Sequence, residues 1–304
     1  MEIGLVGLGK MGLNMAQRLI QGGHKVVGYD IRTENVRSAE MAGVLGVFSL
    51  DDLIHSLQKP CAVWLMVPAG DPTQQTIETL KKLLKPGDVI VDGGNSYYRD
   101  SVKRGKELKD IGIYFLDVGT SGGIWGLTEG YSLMIGGEEE AVDLLSPVFK
   151  TLAPAPERGW GRVGPCGAGH FVKMVHNGIE YGMMQAFAEG FDLMSQKNEF
   201  ALNLGQIAEI WRSGSVVRSW LLDLTADILN ENPNLDGIAP YVPDSGEGRW
   251  TVIEAVDLAV PIPVITMALE RRFASRHDEP YSDKLLSALR NRFGGHEIKK
   301  KGQS

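Results

Sequence analysis

The sequence has few cysteines, no excess of positive charge and no long uninterrupted apolar stretch. Its only cysteines, Cys61 and Cys166, show neither a CxxC pair nor a His/Cys ligand spacing, which disfavours a disulfide framework and a structural zinc. The net charge of −7 disfavours a general binder of nucleic acid or membrane surfaces, although a local basic cluster can still hold a small anion. Residues 253–269, the most apolar later segment, contain two acids and two prolines, so a membrane span is not expected. Because the N-terminus lacks a basic segment followed by an apolar run, we expect a cytoplasmic protein.

A glycine-rich loop lies between the first predicted strand and the first predicted helix. Residues 3–6 are a short apolar run, residues 7–12 read GLGKMG, and an amphipathic pattern continues to Ile20. In this context the glycines of GxGxxG permit a tight turn that brings a pyrophosphate to the helix N-terminus. A second strand at 26–29 leads to Asp30, whose carboxylate can bind both ribose hydroxyls of NAD and repel the 2'-phosphate of NADP. The pattern predicts a dinucleotide site.

Further strand patterns alternate with helical patterns along the first half of the chain. The strands are predicted at 62–67, 89–91 and 114–118, and the helices at 74–84 and 101–110. This alternation predicts a doubly wound parallel sheet of the Rossmann type, in the α/β class. Each of these strands leads into a small polar or glycine-rich loop, at 68–70, 92–96 and 119–123. Since ligands bind at the carboxyl ends of strands in such sheets, three such loops favour a binding site over ordinary turns.

A segment rich in proline and glycine, 154–169, follows a helical pattern at 138–152 and marks a boundary. Beyond it the periodicity is almost wholly helical, with helices predicted at 169–196, 202–230, 250–260, 264–275 and 282–291. A length of 304 residues also suggests about two domains. We therefore predict a dinucleotide-binding domain at 1–166 and an all-α domain at 167–304.

Four polar residues form a stripe on the first helix of the second domain. Lys173, His176, Asn177 and Glu180 stand at positions i, i+3, i+4 and i+7, which share one helical face. Apolar residues surround them, so the helix is predicted to be buried nearly all round. Burying such groups is costly unless they are paired, and a structural network or a solvated face would produce the same pattern as a reactive site.

These motifs together resemble the decarboxylating 6-phosphogluconate dehydrogenases of the β-hydroxyacid dehydrogenase superfamily. The resemblance rests on GLGKMG, the loops VDGGNS and TSGG, and the helix GHFVKMVHNGIEYG, and it covers essentially the whole chain. The segments 249–251, 273–276 and 290–296 agree with it, and the length and segment 121–137 are similar to the shorter branch of the family. The resemblance implies the pentose-phosphate-pathway reaction of gluconate metabolism that converts 6-phospho-D-gluconate to ribulose 5-phosphate and carbon dioxide with reduction of NAD. It implies no metal.

The same resemblance assigns roles to the stripe. Lys173 would take the proton from the C3 hydroxyl and later polarise the new ketone. Loss of water contact favours the neutral amine that such a base requires. Glu180 would protonate the enediol. The implied substrate-binding residues are Asn95, Ser121, Gly122, Gly123, His176, Asn177, Tyr181, Arg249, Thr251, Arg276, Arg290 and His296.

The resemblance also implies a homo-oligomer, a dimer or tetramer, in which the C-terminal tail completes a neighbour's site. Tyr181, Thr251 and Arg276 match positions near the substrate phosphate, and Arg290 and His296 match positions that reach in from the neighbour. With the glycine-rich loop, the predicted cofactor-binding residues are Gly7, Leu8, Gly9, Lys10, Met11, Gly12, Asp30, Ile31, Arg32, Val67, Pro68 and Asn95.

Two departures from the long-branch members concern specificity. Where they read NADP with Asn-Arg-Thr, this chain keeps Arg32 but places Asp30 before it, so we predict a preference for NAD with residual use of NADP. Arg249 stands where many of them have lysine.

The alternative functions for this chain are a 3-hydroxyisobutyrate or tartronate semialdehyde type of dehydrogenase, or a non-catalytic dinucleotide-binding protein. The KxxHNxxE stripe favours decarboxylation, because a reaction that stops at oxidation has no enediol to protonate.

Overall fold

The computed structural model describes residues 1–299, which form two compact units, Met1–Asn177 and the residues from Gly178 onward. The first unit is built on a single eight-stranded sheet in the order β3-β2-β1-β4-β5-β6-β7-β8. The strands are β1 Glu2–Val6, β2 Lys25–Tyr29, β3 Leu45–Val47, β4 Ala62–Leu65, β5 Val89–Asp92, β6 Tyr114–Ser121, β7 Ser132–Gly136 and β8 Trp160–Gly164. All neighbours are parallel except β6 and β7, which pair antiparallel.

Helices cover both faces of this sheet. They are α1 Lys10–Gln21, α2 Thr33–Met41, α3 Leu50–His55, α4 Asp71–Leu83, α5 Tyr98–Lys109, α6 Gly126–Glu129 and α7 Glu139–Leu152, with a 3₁₀ turn at Gly123–Trp125. Successive side chains of a strand point to opposite faces, and β4 shows the result. Ala62 and Trp64 pack into the cluster on one face, whereas Val63 and Leu65 pack into the cluster on the other. A strand buried on both faces explains the continuous apolar run in the sequence.

The second unit is helical. Helix α8, Ala168–Ser195, contains the boundary between the units, and α9 Leu204–Arg212, α10 Trp220–Glu231, α11 Glu247–Asp257, α12 Pro263–Ala274 and α13 Tyr281–Gly294 follow. One small core joins Phe191 to Ala208 and Leu222, and another joins Tyr181 to Leu269. Within residues 1–299, no helix combines the length and apolarity that crossing a membrane requires.

The predicted fold class, a Rossmann-type α/β sheet followed by an all-α region, is confirmed. Three details differ. The sheet is not parallel throughout, because β7 runs against β6. Strands β3 and β8 and helices α2 and α3 lack a clear pattern in the sequence. The single helix predicted at 202–230 is wrong, because Gly214 takes φ +81° and the Ser219 hydroxyl, accepting from Leu222 N at 3.2 Å, begins a new helix.

Candidate functional site

The glycine-rich loop is shaped by two glycines and left open at a third. Gly7 has φ +94°, and a Cβ there would lie 2.3 Å from the carbonyl oxygen of Met66. A Cβ on Gly12 would lie 1.9 Å from the carbonyl oxygen of Gly7. Around Gly9, by contrast, no heavy atom of residues 1–299 other than those of its own chain neighbours lies within 4 Å of such an atom. Gly9 begins α1 without a side-chain cap from the described residues, so the helix offers its first N–H groups to a ligand.

Asp30 is bonded to this loop. Its Oδ2 accepts hydrogen bonds from Leu8 N at 2.7 Å and Asn35 Nδ2 at 3.0 Å, and its Oδ1 accepts from Arg32 N at 2.8 Å. The side chains of Ile31 and Arg32 are exposed beside it. The loop and the acid that were predicted from their spacing therefore form one arrangement, with Lys10 exposed and Met11 half-buried at the helix start.

A buried arginine joins the loops that follow β4 and β5. Arg104 Nη1 lies 3.3 Å from Asp92 Oδ2 and from Ser96 Oγ, and its other nitrogens donate to Gln74 Oε1 at 2.9 Å and to the Gly70 carbonyl at 3.4 Å. Both charged side chains are almost fully buried, at 3% and 0% exposure. Removing one partner of such a pair is strongly destabilising, so the two loops are held as a unit.

The predicted contact residues in these loops lie at the carboxyl edge of the sheet. Val67 is half-buried, whereas Pro68 and Asn95 are exposed. Arg104 itself does not appear among the residues predicted from the sequence. A basic residue on an amphipathic helix gives no sign that it faces inward.

The stripe on α8 meets the loop after β6. Ser121 Oγ lies 3.3 Å from His176 Nε2, and His176 Nδ1 lies 3.1 Å from Asn177 Oδ1. Lys173 is 7% exposed and Asn177 is 9% exposed, while His176 and Glu180 are half-buried. The structure thus brings the hydroxyl of Ser121 to the imidazole of His176, 55 positions later in the chain, and to the neighbouring amide of Asn177 on the same helix.

The backbone around this meeting point needs glycine. Gly122 and Gly123 take φ +131° and +52° directly after Ser121, so the chain turns sharply where β6 ends. A Cβ on Gly119 would lie 2.4 Å from the Cβ of Lys173, so the lysine stem rests directly on the strand.

The prediction that α8 is buried nearly all round is wrong. Ile179 is 51% exposed and Met183 is 40% exposed. Buried side chains occur along much of the helix, but exposed ones lie between them; the buried set includes Lys173, Met174, Asn177, Tyr181 and Phe191. The apolar composition of the sequence alone does not distinguish these positions.

The second unit contains a cluster of arginines around the loop 242–247. Asp244 accepts from Arg249 Nε at 2.7 Å and Nη2 at 3.1 Å, and from Arg276 Nη1 at 3.1 Å. The hydrogen bonds from Arg249 lower the pKa of Asp244, and the charge of Arg276 acts in the same direction. Both guanidinium groups lie over the Phe273 ring, at 4.4 and 5.2 Å from its centroid.

A third arginine was missed from the sequence. The Arg272 guanidinium lies 3.5 Å from the ring centroid of Tyr181 and donates to the Pro243 carbonyl at 2.9 Å. The Tyr181 hydroxyl accepts from Ser245 N at 3.2 Å. The available signal was the spacing of Arg272 and Arg276, which places both on one face of α12.

The other predicted residues of this unit lie apart or buried. Thr251 is 5% exposed, and its hydroxyl donates to the Glu247 carbonyl at 2.8 Å. Arg290 and His296 are exposed. The expectation that they complete a neighbour's site stays a prediction, and residues 300–304 of the predicted tail lie outside those described.

A large apolar cavity lies elsewhere in the second unit. It has a volume of about 1280 Å³, and its walls include Phe187, Phe191, Leu221 and Ile238. None of the predicted site residues lines it. Within residues 1–299, no cluster of three or more His, Cys, Asp or Glu side chains is arranged to hold a metal.

The fold and these loops define a dinucleotide-dependent dehydrogenase with a helical second domain. Residues 2–163 match the NAD-binding domain of 6-phosphogluconate dehydrogenase, and residues 169–286 match the C-terminal domain of that enzyme. The chain therefore belongs to the 6-phosphogluconate dehydrogenase family, which confirms the resemblance drawn from its motifs.

Individual relatives support the same family assignment. An NAD(+)-dependent, decarboxylating 6-phosphogluconate dehydrogenase of Haloferax volcanii is 42% identical over 302 residues, which cover 99% of each chain. An NADP(+)-dependent enzyme of Bacillus subtilis is 38% identical over 293 residues, 91% of this chain and 62% of the relative. The structure of Plasmodium falciparum 6-phosphogluconate dehydrogenase superposes with a TM-score of 0.85 at 30% identity, over 100% of this chain and 67% of the other.

Proposed function

We propose that the protein catalyses the oxidative decarboxylation of 6-phospho-D-gluconate to ribulose 5-phosphate and carbon dioxide with NAD as the oxidant. The observation that supports this most directly is the stripe on α8, in which Lys173 is buried while His176 contacts both Ser121, at the carboxyl edge of the sheet, and Asn177. A base, a set of substrate ligands and an acid then follow one another along one helix.

Lys173 begins the reaction as a base. It takes the proton of the C3 hydroxyl. The residues of the glycine-rich loop would hold the dinucleotide, which would supply the oxidising chemistry that removes the hydride from C3. The product is a β-keto acid, and protonated Lys173 then donates to the new ketone oxygen while the bond between C1 and C2 breaks and carbon dioxide leaves. The electron pair of that bond forms the enediol, so the lysine returns to its neutral form within one turnover.

Glu180 completes the reaction by protonating the carbon that becomes C1 of the product, while neutral Lys173 accepts the hydroxyl proton that the enediol loses as the ketone forms. Transfer of a proton from Lys173 back to Glu180 then restores both groups for the next turnover. It lies seven residues after Lys173, which places both side chains on one helical face. Ser121, Gly122 and Gly123 bind the carboxylate and hydroxyl groups of the substrate, with His176 and Asn177 opposite. Asn95 contacts both substrate and cofactor.

The residues of the glycine-rich loop fit the cofactor. The open space at Gly9 and the uncapped start of α1 suit a pyrophosphate, and Asp30 is placed beside them for the ribose hydroxyls. Because a carboxylate there repels a 2'-phosphate, we infer a preference for NAD, with Arg32 allowing residual use of NADP. The test is kcat/KM for both cofactors, and a clear advantage for NADP would contradict the assignment.

The arginine cluster of the second unit fits the substrate phosphate. Arg249 and Arg276 offer planar guanidinium groups that suit a phosphate, and Tyr181 and Thr251 lie on the neighbouring helices α8 and α11. We further infer that Arg290 and His296 act on the site of a neighbouring subunit in a cytoplasmic homo-oligomer, and that residues 1–166 bind the cofactor while 167–304 bind substrate and dimerise.

One assay tests the reaction. Purified protein is given 6-phosphogluconate with NAD or NADP, and the nicotinamide absorbance and the released carbon dioxide are followed together. Equal amounts of reduced cofactor and carbon dioxide are expected. Reduced cofactor without carbon dioxide would identify a β-hydroxyacid dehydrogenase that stops at oxidation, and binding of NAD without either product would leave a dinucleotide-binding protein.

A further inference from the structure

The start of α8 is held by a carboxylate from a distant strand. Asp117 on β6 accepts from Gly167 N at 2.6 Å through Oδ1 and from His170 N at 2.8 Å through Oδ2. The first N–H groups of a helix have no acceptor inside the helix, and a charged acceptor forms stronger bonds with them than a neutral one. Asp117 has 0% exposure, so water does not compete for these bonds.

Glycines bring the helix and the strands into backbone contact at the same place. A Cβ on Gly169 would lie 2.2 Å from the Asp117 carbonyl oxygen and 2.5 Å from that of Met134. A Cβ on Gly136 would lie 2.4 Å from Asp117 Oδ1. Because no side chain separates the elements, the start of α8 has little room to shift over β6 and β7.

The strand that holds the start of α8 also supports the lysine. Gly119 follows Asp117 by two residues and so lies on the same face of β6, and its Cβ position is 2.4 Å from the Cβ of Lys173. Lys173 stands six residues after Gly167, which is about 9 Å along a helix axis. The two contacts fix both the start of the helix and the stem of the base.

From this geometry we propose that Asp117 is a positioning residue for Lys173. The proposal rests on the function proposed above. Asp117 does not touch the reacting atoms. It sets the place of the first helical turn and, through that turn, the place of the amine. A displacement of about 1 Å at a reacting group can lower a rate about 100-fold, so an anchor within two turns of the base affects catalysis.

The test uses a matched pair of buried acids. Asp88 is 1% exposed and also accepts from two backbone N–H groups, those of Cys61 and Lys85, at 2.8 Å each, and in addition it pairs with Lys59 Nζ at 2.7 Å. It precedes β5 and therefore lies at the opposite edge of the sheet from the loops of the site. Asp117→Asn and Asp88→Asn each replace a buried carboxyl group by an amide of the same shape, and only the first is expected to affect Lys173.

Asp117→Asn is expected to lower kcat about tenfold or more and to shift the limb of the kcat–pH profile that reports the base, while the Kd for NADH changes less than about twofold. Asp88→Asn is expected to keep the kcat and pH profile of the wild type. If Asp117→Asn does not fold, Asp117→Ser has a smaller side chain whose hydroxyl can accept one of the two bonds, and it should likewise lower kcat and shift the pH profile. Wild-type kcat and pH profile in a folded Asp117 variant would overturn the proposal, as would the same loss in Asp88→Asn.

A second readout separates this proposal from the proposed reaction. If the wild type does not turn over 6-phosphogluconate, the proposed reaction fails, but the pH dependence with which trinitrobenzenesulfonate modifies Lys173 still reports the environment of the amine. A shift in Asp117→Asn that is absent from Asp88→Asn supports the anchor, and equal behaviour overturns it. Failure of both Asp117 variants to fold while Asp88→Asn folds would make Asp117 a residue of the fold alone and also overturn the proposal.

Discussion

The two units offer binding groups for anions in different ways. At the sheet edge of the first unit, the groups are backbone N–H donors at Gly9 and the start of α1, and glycines shape the loop. In the second unit the groups are the side chains of Arg249 and Arg276, which an acid, Asp244, already pairs. A backbone site is set when the chain folds, whereas a side-chain site depends on the partners that hold each arginine in place.

The largest effect is expected at the base that the first unit contributes. Lys173→Met should lower kcat by about 100- to 10,000-fold and abolish hydride transfer and decarboxylation together, because one amine serves both steps. Glu180→Gln should leave hydride transfer intact and slow the steps after it. Stopped-flow measurement of the nicotinamide absorbance with release of carbon dioxide separates the steps. If both variants fail alike at hydride transfer, the role of Glu180 is wrong.

The next effect concerns the backbone site and uses two glycines of one loop. Gly12→Ala places a methyl group 1.9 Å from the Gly7 carbonyl oxygen and should destabilise the protein by about 1–3 kcal/mol as well as weaken NAD binding. Gly9→Ala meets only open space in the described structure, so it should weaken NAD binding at unchanged stability. Urea unfolding and NADH fluorescence titration measure the two quantities. Equal losses of stability in Gly12→Ala and Gly9→Ala would refute the distinction between a crowded and an open glycine.

A smaller effect is expected at the side-chain site. Arg276→Met should raise the KM for 6-phosphogluconate about 10- to 100-fold through loss of a charge-assisted contact, and leave the KM for NAD unchanged. Arg37→Met is the control, because Arg37 is exposed, pairs with Glu40, lies over the Phe48 ring and is not among the predicted site residues. Steady-state kinetics with 6-phosphogluconate and NAD varied in turn measures the two KM values. An unchanged KM for the sugar acid would remove Arg276 from the phosphate site.

The smallest effect concerns the stability contributed by Asp244. Its pKa is lowered in the folded protein, so the charged form stabilises the fold above the unfolded pKa of about 3.9, and this contribution is lost as the pH falls through the lower folded value. Asp244→Asn should therefore be less stable than the wild type near neutral pH, and the difference should shrink in acid. Thermal unfolding from pH 7 to pH 3 measures it, and a constant difference would exclude the linkage.

Local patterns predicted more of the molecule than long-range contacts did. The dinucleotide site formed by the loop 7–12 and Asp30 could be predicted because its glycine turn, helix start and strand end lie within thirty residues of one another. The contact between Ser121 and His176 joins residues 55 positions apart, and only the family resemblance connected them.

Other features had no pattern to read. Arg104 and Arg272 look like surface residues in the sequence, because the inward direction of a basic side chain depends on partners elsewhere in the chain. The break between α9 and α10 depends on a single glycine, Gly214, inside a sequence that is otherwise helical in pattern. The exposure of Ile179 shows that an apolar helix face need not be a core face.

The bond from Leu8 N to Asp30 has a consequence for protein engineering. An attempt to convert the enzyme to NADP would first replace this acid, and an alanine would leave the Leu8 amide without its acceptor and loosen the turn that receives the pyrophosphate. An asparagine keeps an oxygen at that position while removing the charge. Redesign of cofactor use should therefore start from Asp30→Asn and add positive charge elsewhere, because the residue that we propose to discriminate between cofactors also helps build the loop.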